Sequence, residues 1–101
     1  MNREDLERDV RAFYAQALDG SLPTELPDDI PGDVFAIGGG LIENGDETIA
    51  EIVNSLLVCH HTYYANEPMP PLYAKMRTIE SGKQALIVSI PMHNARERES
   101  T

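Results

Sequence analysis

The sequence predicts an α+β fold: two main α-helices packed on a small antiparallel sheet that contains a C-terminal β-hairpin. Three observations lead there. Apolar residues recur at helical spacing over residues 3–18 and again from 46 to about 65. Residues 72–90 instead alternate and then run continuously apolar around a cluster of turn formers. A short apolar run at 34–37 supplies a further strand. With 101 residues, 42% of them apolar and 25% charged, the chain makes a single small domain over 1–93, followed by a polar, frayed tail at 94–101.

In the first helix, Leu6, Val10, Phe13, Tyr14 and Ala17 fall on one face. Acids cluster in its first turn, where the helix dipole favours them. Gly20 stands where a left-handed C-terminal cap belongs. Residues 21–33, SLPTELPDDIPGD, hold three prolines and a glycine, so they read as an extended connection tacked down by Leu22, Leu26 and Ile30.

Val34 to Ile37 read as a strand and Gly38 to Gly40 as its break, with Leu41 and Ile42 opening a second short strand in a tight hairpin. A phosphate-cradling loop is the sharper alternative. It is disfavoured because no lysine is near and Glu43, Asp46 and Glu47 crowd the helix start. The second helix has two overlapping capping boxes available, Asn44 to Glu47 and Thr48 to Glu51. Its stripe comprises Ile49, Ile52, Val53, Leu56, Leu57, His60, Tyr63 and Tyr64. Pro68 and the following MPP end it.

In the hairpin, LYAKMRTI sets Leu72, Ala74, Met76 and Thr78 against Tyr73, Lys75, Arg77 and Ile79, a half-solvated strand with two cations on its outer face. Residues 80–83 form the turn. QALIVSI reads as a strand covered on both faces, stopped by Pro91.

Charge is distributed unevenly. The formal net charge is −9. Residues 1–51 carry thirteen acids against three arginines, whereas residues 52–101 carry four acids against five bases. Ten acids and not one lysine or arginine lie between Arg11 and Lys75. Such a field disfavours direct nucleic-acid binding and attracts a basic partner. A solubility role for the acids is the plain alternative. The charged N-terminus does not read as a signal peptide, and no apolar run is long enough to span a bilayer. A single cysteine fits a reducing compartment, so a cytoplasmic protein is expected.

The stretch LLVCHHTYY holds the one cysteine and two of the three histidines. On a helix, Cys59, His60 and His61 point in three directions, and their i+4 partners Tyr63, Tyr64 and Ala65 are poor zinc ligands. No metal and no cofactor is expected. Cys59 reads as a small packing residue far from the helix N-terminus that would activate a thiolate. His60 is either a core histidine bonded to a carbonyl or tyrosine, or part of a pocket or subunit interface with Tyr63, Tyr64, Tyr73 and His93. Val58, opposite the main stripe, favours an interface.

The function expected from these residues is that of a small acidic, non-enzymatic interaction protein. It would bind a basic partner protein through Asp28, Asp29, Asp33, Glu43, Asp46 and Glu47, and could block a nucleic-acid-binding surface of that partner. No nucleophile, base and electrophile stabiliser stand at a recognisable spacing, which points away from an enzyme. A ligand-binding protein or enzyme with a His/Tyr-lined pocket is the alternative. A homo-oligomeric assembly subunit is the other, since so small a core leaves little stability margin.

Overall fold

A computed structural model describes residues 2–30 and 34–91. Its elements in chain order are α1 (Arg3–Asp19), β1 (Val34–Leu41), a 3-10 turn (Ile42–Asn44), α2 (Asp46–Tyr63), β2 (Tyr73–Thr78) and β3 (Gln84–Pro91). The three strands form one antiparallel sheet in the order β1-β3-β2. Two helices with a three-stranded sheet, β2 and β3 forming the C-terminal hairpin, make the α+β fold expected of the sequence. Of the earlier expectations, the tail at 94–101, His93 and Asp33 lie outside the described residues.

Helix α1 starts where the Asn2 side chain accepts the Asp5 N–H at 2.9 Å and stops at Gly20, whose φ of 82° is left-handed. Beyond it, the Ser21 and Leu22 amides both donate to the Gln16 carbonyl, which turns the chain back and buries Leu22. The connection then runs beside β2, where the Met76 amide donates to the Pro23 carbonyl at 2.8 Å.

The core lies between the helices and one face of the sheet. Leu6 and Val10 from α1, Ile52, Val53 and Leu56 from α2, and Leu86 and Val88 from β3 are fully buried. β3 is central and buried along almost its whole length, as its continuous apolar composition requires. On β2, Ala74 and Met76 face the helices opposite Val88 and Leu86, while Tyr73, Lys75 and Arg77 occupy the other face.

β1 departs from the sequence expectation. The glycines do not turn the chain. Val34 to Leu41 is one strand that pairs with β3 throughout, with a bulge at Ile37 between the Ala36–Ser89 and Gly38–Val88 pairs. None of Gly38, Gly39 and Gly40 has a positive φ, so the backbone does not demand glycine there. Space demands it. A Cβ on Gly38 would lie 3.1 Å from the Ser55 Cβ and 3.3 Å from the Ile52 Cα. One on Gly40 would lie 2.7 Å from the Thr48 Oγ1. Gly38 and Gly40 let α2 settle almost onto the strand backbone. The helix answers with Thr48, Ile52, Ser55 and Cys59 at spacings of four, three and four, which is one stripe along its sheet-facing side.

The expected capping boxes do not form. Gly45 is the N-cap of α2, without a side-chain cap bond. The Thr48 hydroxyl donates to the Leu41 carbonyl at 2.5 Å, and the Tyr14 hydroxyl donates to the Ile42 carbonyl. Side chains from two helices therefore fasten the corner between β1 and α2.

Candidate interaction surface

Three of the acids expected to meet a partner stand on that fastened corner. Glu43 belongs to the 3-10 turn, and Asp46 and Glu47 form the first turn of α2, where the helix dipole favours carboxylates. All three are exposed, as are Asp28 and Asp29 in the connection before β1. The two groups enter the sheet from opposite ends. Val34 pairs with Pro91 at one end of β3 and Leu41 pairs with Ala85 toward the other. The seven residue steps between them span about 23 Å of strand.

The corner is not uncompensated. Arg11 reaches Asp46 at 3.2 Å while also holding Glu7 at 3.0 Å. Lys83 reaches Glu43 at 2.7 Å. These cations come from 35 and 40 residues away in the chain. The hydrogen bonds to Glu7 and then to Asp46 raise the Arg11 pKa above its ordinary value. Arg11, Asp46, Lys83 and Glu43 all remain exposed, a setting in which ion pairs are screened by water and salt.

The His/Tyr group is divided. His60 is half-buried, and its Nε2–H donates to the Glu67 carbonyl at 3.0 Å, which ties the end of α2 to the turn after it. A carbonyl can only accept, so this bond fixes the proton on Nε2. Tyr64 is buried and its hydroxyl donates to the Pro91 carbonyl at 3.3 Å, joining the helix end to β3. Tyr63 is exposed on the last turn. Tyr73 lies on the sheet face away from the helices, paired with Ser89. A surface depression of about 510 Å³ is lined by Tyr63 and Tyr64 with Thr62, Ala65, Asn66 and Glu67. His60 and Tyr73 are not among its walls.

Cys59 is buried against Ile90, Tyr64, Ile37, Met69 and Leu72. Desolvation pushes its thiol pKa up, the reverse of what a nucleophile needs. Among the described residues, no group of three or more His, Cys, Asp or Glu side chains is placed to hold a metal ion. Nor is any described helix long and apolar enough to cross a membrane.

A second concavity, about 500 Å³, lies between α2 and β1 and is lined in part by Ala36, Ile37, Ser55, Val58, Cys59 and Tyr63. Val58 is 66% exposed on its rim, and Phe35, the next residue along β1, is 51% exposed. Val58 had a sequence signal, its place opposite the main stripe of α2. Phe35 had none, because an apolar residue in a strand is ordinarily taken as core.

Comparison with protein-family models, with curated proteins and with solved structures found no match for this chain.

Proposed function

We propose that the protein is a non-enzymatic interaction protein that docks a basic partner protein through its acidic surface. Glu43, Asp46 and Glu47 on the fastened corner carry that docking, and Asp28 and Asp29, exposed before the opposite end of β1, form a separate acidic group. The observation that supports this reading is the fastening of the corner. The Thr48–Leu41 and Tyr14–Ile42 hydrogen bonds hold the backbone that carries three adjacent exposed carboxylates. Carboxylates on a rigid support lose little entropy on pairing with a partner's arginines, and the net charge of −9 speeds the encounter. Arg11 and Lys83 shield the corner in the free protein and are released, or share their acids, when a partner arrives. A partner surface that ordinarily holds phosphates has the arginine geometry such carboxylates suit.

The test uses a synthetic arginine-rich peptide as probe and two triple variants of equal charge. One neutralises the corner (Glu43→Gln, Asp46→Asn, Glu47→Gln). The other neutralises exposed acids elsewhere (Glu4→Gln, Glu25→Gln, Glu80→Gln). Titration from low to moderate salt should show the corner variant losing more affinity and more salt dependence than the control. Equal losses would reduce the acids to a diffuse solubilising charge and remove the proposed docking site.

A further inference from the structure

Among the described residues, five large apolar side chains are exposed, and Phe35, Val58 and Tyr63 are three of them. Val58 and Tyr63 line the groove between the second half of α2 and the first half of β1, and Phe35 adjoins it. We propose that this surface is a two-fold interface between copies of this chain, in which α2 packs antiparallel on its counterpart about Val58. The proposal does not rest on the docking of a basic partner, because Asp46 at the acidic corner stands twelve residues before Val58, about 18 Å along the helix.

Charge favours a second copy as the occupant. Two-fold symmetry sets a patch against itself, so any net charge in the patch meets its own sign. In a chain of net charge −9, the self-contact must therefore avoid the acids. Residues 34–42 and 52–66 contain no Asp, Glu, Lys or Arg, and these are the two stretches that build the groove. The outward ridge of α2 carries Asn54, Val58 and Thr62 at successive fourth positions, all uncharged and short; the one charged group bonded to it, the Arg3 guanidinium donating to the Asn54 Oδ1 at 2.6 Å, stands at the Asn54 end and brings no acid. An antiparallel crossing at Val58 sets Asn54 of each copy near Thr62 of the other and opposes the two helix dipoles. Phe35 and Tyr63 flank the crossing as aromatic anchors.

The two sheet edges are treated differently. Along β2 the Pro23 carbonyl occupies the Met76 amide, and Lys75 and Arg77 add charge, both ordinary protections of an edge. β1 carries no charge in its eight residues, but its bulge at Ile37 bends the edge out of register for a straight added strand. Side chains on the neighbouring helix ridge, rather than a strand ladder, are therefore the contact this face suits.

Sedimentation of the full chain from about 1 µM to about 1 mM tests the proposal, since that span separates ordinary from marginal affinities. A species at twice the 11.2 kDa chain mass is expected to form with concentration. Val58→Glu and Phe35→Glu should each raise the dissociation constant at least about tenfold without changing the circular dichroism or melting of the monomer, because both side chains are already exposed. Leu18→Glu, at an equally exposed apolar position on α1, should leave the dimer intact. A wild-type chain that stays monomeric throughout, or a dimer that survives both substitutions, overturns the proposal. So does equal dissociation by Leu18→Glu. Amide exchange supplies a further readout: concentration-dependent protection of β1 amides that persists in Val58→Glu would mean strand pairing and sink the helix-on-helix contact.

Discussion

Gly40→Ala tests the packing of α2 on β1 most sharply. The new methyl would lie 2.7 Å from the Thr48 Oγ1 and 3.1 Å from its Cγ2, both inside ordinary contact. Thr48 cannot easily yield. It is buried, its β-branched side chain has few rotamers, and its hydroxyl serves the Leu41 carbonyl. Overpacking of this kind costs about 1–3 kcal/mol. Removing a glycine from the unfolded chain returns about 0.4–1 kcal/mol where the native φ and ψ suit alanine, as they do at a residue without positive φ. The net expectation is a loss of about 1–2 kcal/mol, or roughly 4–8 °C in melting temperature for each kcal/mol. Urea unfolding followed by circular dichroism measures it. The decisive arm is the double mutant Gly40→Ala/Thr48→Ala. Removing the threonine's terminal atoms relieves the clash, so the two changes should be less destabilising together than their sum. Strict additivity, or a Gly40→Ala protein as stable as wild type, would refute the close approach and leave the glycines unexplained.

Leu86→Ala should cost about 2–5 kcal/mol in the same assay, because Leu86 is fully buried at the centre of the sheet. Asp19 accepts hydrogen bonds from the Ser21 hydroxyl and amide, which hold its carboxyl below the ordinary value. Its stabilising contribution is present above the unfolded-state pKa and fades as pH falls through the lower folded value. Asp19→Ala should therefore flatten the acid limb of a melting-temperature profile and leave the strongly acidic end unchanged. His60→Ala should destabilise by about 0.5–1.5 kcal/mol through loss of the bond to Glu67, with His60→Gln losing less because its amide can still donate. Cys59 should react with a thiol reagent at neutral pH only as fast as the protein opens, so its rate should rise with urea in step with unfolding; rapid labelling in the native state would contradict its burial and raised pKa.

Much of the fold was legible because its signals are local. Gly20 marks the end of α1 by the single conformation it takes, and the Leu72–Ile90 stretch declares a hairpin through alternation and turn residues. The β1 glycines misled for a physical reason. Read locally they are chain breakers, whereas here they are strand residues, and the missing side chains of Gly38 and Gly40 make room for Thr48, Ile52 and Ser55 of α2. Part of that complement, Thr48, Ser55 and Cys59, was present in the sequence as small residues on one side of α2, masked by the stronger apolar stripe that Ile52 shares. The capping residues misled similarly, since Thr48 spends its hydroxyl on Leu41 rather than on its own helix. At the surface, the acids were visible but their counter-ions were not. Arg11 and Lys83 meet Asp46 and Glu43 only because α1 packs on α2 and because β3 begins beside the end of β1.

The strand order has a consequence for synthesis. β1 and β2 both wait for β3, the last of the three described strands in chain order. At about 5–20 residues per second, several seconds pass between the emergence of residue 41 and that of residue 84. During that interval the nascent polypeptide can pair its helices but has no sheet, and its most apolar, uncharged segment stays without a ladder. A stop codon or a stall just before residue 84 would thus forfeit all three strands at once, not merely the final one.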